Sequence, residues 1–298
     1  MQKNNNLKSY LNLHLIVFIW GFTAILGELI KVKEEAVVWY RMLLAGIFIL
    51  VYVIIAKKPW KIPARPFAGL IGVGLLIALH WVFFFKAINV SNVSITLAVF
   101  STGAFFASIL EPIFFSRKML WYEVFFGLLI IGGLLMIMQV ETQYVLGMVY
   151  ALVSVLLGVV FTLFNGKLIQ KYDSSVITLY EFFAGAFFVT LYLFHAEKFT
   201  PAFFDVSLRD WSLLIVLSSV CTAYAFTASV GVMKKLTPYT VMLTTNMEPV
   251  YGIILAYIIL GGKEKMSAGF YIGALVILST VILNGILKNY TKEKQKIA

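Results

Sequence analysis

The chain of 298 residues is 61% hydrophobic and only 13% charged, against roughly 25% charged residues in an ordinary water-soluble domain. No single soluble core hides that much apolar side chain, so a soluble enzyme or binding domain is excluded and the apolar runs face lipid. The net charge of +10 is spread over short connections and is not gathered into a surface for nucleic acid.

Crossing the hydrocarbon layer as a helix takes about 20 apolar residues. Runs of that kind are predicted at 12–31, 36–56, 67–87, 92–115, 121–140, 145–168, 174–194, 209–232, 238–260 and 268–288. Strand-like alternation is absent, which argues against a barrel. The first run follows a polar lead through Asn4, Asn5 and Asn6 and ends in GELIKVKEE. It has no small-residue cleavage site, so a retained helix is expected and not a signal peptide. Glu28 near its end and Arg41 in the second run fall near the same face of the bilayer, where they form either a gate or a plain ion pair. In the third run His80-Trp81 sits past the middle. A histidine there titrates near neutral pH and suits proton coupling or solute binding, and the indole stacks on a flat or cationic ligand; a histidine bonded to a neighbouring helix is the competing reading.

The fourth run carries Ser101, Thr102 and Gly103, small enough for close helix approach, then Glu111-Pro112. Glu111 is expected to reach the interface or to pair with Arg117 or Lys118. Glu181 in the seventh run is expected to snorkel. The ninth run holds TTNMEPVYG, residues 244–252. A charge at mid-bilayer costs roughly 2.5–3.5 kcal/mol on insertion scales unless it meets water or a partner, so Glu248 needs a shield. Pro249 cannot donate a backbone hydrogen bond and frees a carbonyl one turn earlier, a defect tolerated only against protein or a wet cavity. On an unbroken helix Thr244, Glu248 and Tyr251 share one face and Asn246 points away. Glu248 is then either a cavity carboxylate that takes a proton or meets an amine, or a neutral, bonded acid fixing a bend.

With the N-terminus placed in the cytoplasm, 16 Lys and Arg fall on the cytoplasmic side and 7 on the other, Arg41 being within a span. That asymmetry obeys the positive-inside rule for short loops, puts both termini in the cytoplasm and offers anionic lipid a contact. Cys221 is alone, so the chain has no internal disulfide. His14, His80 and His195 lack metal-ligand spacing, and neither a Walker loop nor a nucleophile elbow occurs. Neither cofactor nor metal is expected, and nucleotide-driven pumping needs a separate subunit.

Shifting the chain by 139 residues lays FTAILGELI (22–30) over FTLFNGKLI (161–169) and RMLLAGIF (41–48) over YEFFAGAF (180–187). At a shift of 146, GLLII (127–131) meets GALVI (273–277), and Thr102-Gly103 meets Glu248-Pro249. Each half then holds five helices, an odd number, so the second half enters the membrane the other way up. Inverted repeats of this kind place a solute site near the midplane between the halves.

The segments FIWGFTAIL (18–26) and NMEPVYGIILAYIILGGKEKMSAGFYIGALVIL (246–278) resemble the EamA-like permeases of the drug/metabolite transporter superfamily, and the resemblance spans essentially the whole chain. It implies helices that line a central cavity and bring Trp20, Asn165 and Tyr224 to it, though each of the three reads equally as packing. The expected architecture is an all-α integral membrane protein of ten transmembrane helices. It comprises two inverted five-helix repeats, 12–140 and 145–288, and a cytoplasmic basic tail, 289–298. The resemblance implies a secondary transporter of the cytoplasmic membrane, working by alternating access, with export as the expected direction and amino-acid-like solutes first. Partners are a small-molecule substrate, membrane lipid and, where coupling operates, protons carried by Glu248 or His80. The cavity set is Glu248, His80, Trp81, Thr244, Tyr251, Trp20, Tyr224 and Asn165, with Glu28, Arg41 and Glu111 as ion-pair or gate residues. The rivals are an intramembrane enzyme, which needs clustered Asp, His or Cys, and a receptor or structural membrane protein. No motif speaks to oligomeric state.

Overall fold

The computed structural model describes residues 2–116, 121–261 and 266–297, and among them it is helical without a strand. The helices are α1 (Gln2–Leu29), α2 (Glu34–Ile55), α3 (Ala64–Val90), α4 (Val93–Phe100), α5 (Gly103–Phe115), α6 (Trp121–Val140) and α7 (Val145–Leu168). There follow α8 (Ser174–His195), α9 (Pro201–Phe204), α10 (Leu208–Ser218), α11 (Ala225–Val232), α12 (Pro238–Thr245), α13 (Glu248–Leu260) and α14 (Ala268–Ile297). A π-helical segment, Ser219–Tyr224, joins α10 to α11. Eight candidate spans are long and apolar enough to cross a membrane, α4–α5, α10–α11 and α12–α13 each counting as one. Shorter apolar stretches, Phe125–Val140 and Ala268–Thr280, lie in α6 and α14.

Helices are what hydrocarbon demands, because lipid offers backbone amides no partner. The side chains follow the same logic. Leu11, Ile55, Leu128 and Ile258 are turned outward, while Thr96, Ser154, Thr178 and Glu181 are buried.

The halves repeat element by element. α2 and α8 have 22 residues each, α4 and α12 have 8, and α5 and α13 have 13. Asn92 caps α4 through the amide of Ile95, and Thr237 caps α12 through the amide of Thr240. The shift across these elements is 145, so the residues facing one another in the repeat are Gly103 and Glu248, one place from the sequence expectation. Along α2 and α8 the shift is 140, which pairs Arg41 with Glu181 and not with Tyr180. α2 packs directly on α8 and α6 on α14, while α3 lies against α7 and α8.

Two ends of the bundle are defined by polar ties. At one end Lys58 Nζ meets Asp173 Oδ2 at 2.9 Å, joining the start of the loop after α2 to the N-cap of α8. At the other end Lys198 Nζ meets Glu35 Oε1 at 2.7 Å, and Asp210 Oδ1 accepts from the amide of Lys31 at 3.3 Å. The matched helices α2 and α8 therefore run in opposite directions.

The Asn-rich lead is helical from Gln2, and α14 continues to Ile297 into the basic segment. One expectation changes. Glu181 is fully buried and does not snorkel. Glu111 is also buried, and its Oε1 accepts from the amide of Tyr239 at 3.1 Å. An acid near the first amides of α12 complements the helix dipole, so Glu111 serves a helix end as well. Arg117 and Lys118, its expected partners, lie outside the described residues, as do Lys263 and Lys265.

Candidate functional site

The predicted ninth span is not one helix. α12 stops at Thr245, and the amides of Asn246 and Met247 turn back to the carbonyls of Leu243 (3.3 Å) and Thr244 (3.0 Å). These three-residue bonds tighten the chain before α13 starts at Glu248. Pro249 then occupies the first turn of a helix, where its missing N–H leaves no bond unmade. The break rotates the chain enough for Asn246 and Glu248 to line the same cavity. Thr244 is turned away, its hydroxyl returned to the carbonyl of Thr240 at 2.9 Å. Tyr251 packs edge-on against Phe18 at 5.5 Å and beside Gly21.

The cavity, about 100 Å³, lies in mid-bundle. Of the residues singled out in the sequence, it gathers Trp20, Arg41, His80, Trp81, Asn165 and Glu248. Thr244, Tyr251, Glu28 and Glu111 do not line it, and Tyr224 is half exposed on the outer surface of the bundle. The sequence reading missed Asn246, Thr23, Thr162, Ser229 and the wall of Phe84, Phe100, Phe161 and Phe226. For Asn246 the usable signal was the polar run just ahead of Glu-Pro, which suits a break better than a continuous helix.

Arg41 is buried and held on two sides. Its Nε donates to Thr222 Oγ1 at 2.6 Å, and its guanidinium carbon stands 3.9 Å from the Trp81 ring centroid. These partners replace the pairing with Glu28 expected from sequence. Thr222 belongs to the π-helical segment, where its hydroxyl also donates to the carbonyl of Leu217 at 2.6 Å. Trp20 Nε1 donates to the carbonyl of Cys221 in the same segment at 3.2 Å. A π-turn disturbs the regular helical bonding, and here Trp20 of α1 takes up a backbone carbonyl while Arg41 of α2 takes a side-chain hydroxyl.

His80 and Ser154 tie α3 to α7 by a reciprocal pair: Nδ1 to the carbonyl of Ser154 at 2.7 Å, and Ser154 Oγ to the carbonyl of His80 at 2.7 Å. A carbonyl only accepts, so Nδ1 carries a hydrogen in this contact. The ring stands edge-on to Phe161 at 5.2 Å. Asn165 Nδ2 donates to Glu181 Oε2 at 3.3 Å, placing a second buried acid just behind the lining. Four buried polar atoms on lining residues are left without a protein partner: Thr23 Oγ1, Arg41 Nη1, Asn165 Oδ1 and Asn246 Nδ2. Buried polar atoms are ordinarily bonded, so this is a chamber prepared for water or a polar solute.

The lining runs from Arg41, about 10 Å along α2 from its start at ~1.5 Å per residue, to Asn165, Met233 and Val241. Those three lie within a few residues of the helix ends at the Lys58–Asp173 end. Towards the opposite end stands an aromatic plug. Phe203 of α9 stacks on Tyr40 (5.7 Å) and meets Trp39 edge-on (5.6 Å), with Trp211 against Tyr40 (5.1 Å). Among the described residues no cluster of His, Cys, Asp and Glu has metal-binding geometry.

The model of the EamA-like transporter family matches residues 7–139 and again 145–286. A protein of Archaeoglobus fulgidus described as an uncharacterized transporter is 23% identical over 285 residues, covering 93% of this chain and 97% of that one. A second uncharacterized transporter, from Clostridium kluyveri, is 23% identical over 153 residues, 51% of this chain and 48% of its own. A solved crystal structure superposes with a TM-score of 0.70 over 94% of this chain and 98% of its own at 15% identity, a likeness of fold.

Proposed function

Because the chain belongs to the EamA-like transporter family, and with it to the drug/metabolite transporter superfamily, we propose that this multi-pass membrane transporter is a secondary carrier. Its cargo is a small polar or amphipathic solute, moved across the cytoplasmic membrane by alternating access. The observation that carries this reading is the convergence of Arg41, His80 and Glu248, from α2, α3 and α13, on one buried mid-bundle cavity. A membrane protein keeps ionisable groups at that depth at a cost, and such groups mark solute or proton paths. A non-enzymatic role fits the same features, since the cavity presents recognition groups without a nucleophile–base pair.

Two inverted five-helix repeats are the architecture behind the proposal. The repeated lengths of α2/α8, α4/α12 and α5/α13 support it, as does the opposite run of α2 and α8, with α6 and α14 completing ten crossings. The loops at the Lys58–Asp173 end are taken as cytoplasmic from their basic surplus, which makes both termini cytoplasmic. The cavity then extends inward while the plug of Tyr40, Phe203 and Trp211 closes the outside, the inward-facing member of an alternating pair. Rocking of one repeat against the other opens the plug and closes the inner side. Export of amino-acid-like solutes is the first direction and class to test, on family resemblance alone. Glu248 and the Nε2 of His80 are the proton carriers to test.

The experiment is flux of a panel of labelled amino acids, amines and organic acids in proteoliposomes, with and without a pH gradient. Saturable flux of at least one solute is expected. Failure of every solute to exceed protein-free vesicles returns the chain to the receptor or structural reading. Full retention of gradient dependence in Glu248→Gln removes Glu248 as the proton carrier.

A further inference from the structure

We infer that Arg41 is the anchor for a carboxylate on the transported solute, whose flat apolar body lies along the aromatic wall of the cavity. The inference rests on the transporter reading and names the solute class at the same site.

Three observations carry it. Arg41 is 2% exposed, yet its Nη1 has no protein partner while the residue lines the cavity. Its orientation is fixed: Thr222 holds Nε and Trp81 covers the guanidinium face. A guanidinium pinned by one nitrogen and one face still has donors left, and their fork matches the two oxygens of a carboxylate. Glu248, the acid on the same cavity, is near enough to act on Arg41 through space but makes no direct ion pair with it. A buried cation without a hydrogen-bonded counterion is disfavoured, so a solute that brings an oxyanion to Nη1 stabilises it. The repeat adds an internal control. The position matching Arg41 is Glu181, whose Oε2 is taken by Asn165 behind the lining, so packing of α2 on α8 does not itself require a guanidinium.

The rest of the cavity selects among oxyanions. Trp81, Phe84, Phe100, Phe161 and Phe226 offer ring faces and edges, and a space of about 100 Å³ suits one small ring or chain. A doubly charged phosphate is harder to strip of water there than a singly charged carboxylate. The polar atoms of Asn246 and Thr23 are placed for a further hydroxyl, amine or water.

The test is binding to purified full-length protein in detergent, read by the fluorescence of the cavity tryptophans, Trp20 and Trp81. The probes are benzoate, benzyl alcohol, benzylamine and phenyl phosphate. Wild-type protein is expected to prefer benzoate over benzyl alcohol by roughly tenfold or more, the size of a charge-assisted hydrogen bond. Arg41→Gln is expected to abolish that preference, and Arg41→Lys to keep only part of it because the fork is lost. Where those variants do not fold, Thr222→Val leaves the guanidinium in place without its tether, and it is expected to weaken benzoate binding but not that of the alcohol. Equal binding of acid and alcohol by wild type overturns the inference, as does stronger binding of phenyl phosphate or benzylamine, or a preference that survives loss of Arg41 or its tether. Saturable flux of neutral or cationic solutes without any dependence on Arg41 sinks this inference and leaves the transporter standing, whereas absence of all flux sinks the transporter reading.

Discussion

Gly74 shows how closely single residues constrain this bundle. A β-carbon there would overlap the carbonyl oxygen of Glu181 and crowd Ala184 and the amide of Gly185, so α3 and α8 touch nearly backbone to backbone. Lipid gives helices no hydrophobic reason to associate, and close packing at small residues takes that part. Gly74→Ala is expected to destabilise by about 1–3 kcal/mol through overpacking. Gly69→Ala and Gly72→Ala, with open space around them, serve as silent controls in thermal unfolding of detergent-solubilised protein. Ser154→Ala removes one half of the reciprocal tie with His80 and is expected to cost about 0.6–1.7 kcal/mol, the range measured for interhelical bonds in membranes. Loss of well over that amount would mean that the tie also holds the cavity wall together.

At the scale of the helix, ends matter more than middles. Glu111 reaches from α5 to the amide of Tyr239 at the start of α12, so Glu111→Ala is expected to lower stability by about 1 kcal/mol and Glu111→Gln by less. Asp173 caps α8 through the amide of Ser175 and meets Lys58. Burial pushes the Asp173 carboxyl up, but the hydroxyl and amide of Ser175 and the Lys58 ammonium outweigh it and hold the group below its ordinary 3.8. The hydrogen bond that Lys58 donates to Asp173 in turn holds its ammonium above 10.5. The Asp173 contribution is present above its unfolded value and fades as pH falls through the lower folded one. The Lys58 contribution is present below 10.5 and fades as pH rises through its higher folded value. Stability from the pair should therefore be flat between about pH 5 and pH 9 and decline in acid below about pH 4. Asp173→Asn keeps a cap and loses the ion pair, at a cost of up to ~1 kcal/mol that shrinks with salt. Asp173→Ala loses the cap as well, about 1 kcal/mol more.

For the whole molecule, parity is the decisive test. In a Cys221→Ser background, single Lys61→Cys and Lys171→Cys variants should react with a membrane-impermeant maleimide from one side of sealed vesicles. Lys33→Cys and Lys198→Cys should react from the other. Labelling of positions 61 and 171 from opposite sides contradicts the Lys58–Asp173 tie and with it the inverted repeat. The same tie and the Lys198–Glu35 pair bridge α2 and α8 at opposite ends, so the proposed rocking would release one while the other holds.

The helical runs could be read from the sequence in outline, because hydrocarbon thickness and backbone satisfaction leave an apolar run of twenty residues few alternatives. The runs at 145–168 and 238–260, for example, end where α7 and α13 end. The breaks inside the fourth, eighth and ninth runs and the length of α1 and α14 could not be read. Cavity candidates legible in the sequence that line the pocket are His80 and Glu248, whose chemistry is costly in lipid wherever they point, with Trp20, Trp81 and Asn165, while Arg41 was expected only as an ion-pair or gate residue. Which neighbours join them depends on helix rotation. The break at Asn246–Met247 brought Asn246 in and left Thr244 and Tyr251 out, and its counterpart at Ser101–Thr102 carries no proline to announce it. Glu181 was misplaced, and the contact of Glu111 with Tyr239 unforeseen, for a related reason. An acid in a membrane helix needs a partner, but that partner lies in another segment, 128 and 16 residues away, and distance along the chain says nothing about which helices meet. Sequence determined that this protein lives in lipid as a doubled bundle of helices; only tertiary packing decided which polar groups share one chamber, because their directions are set by helix contacts that no local pattern encodes.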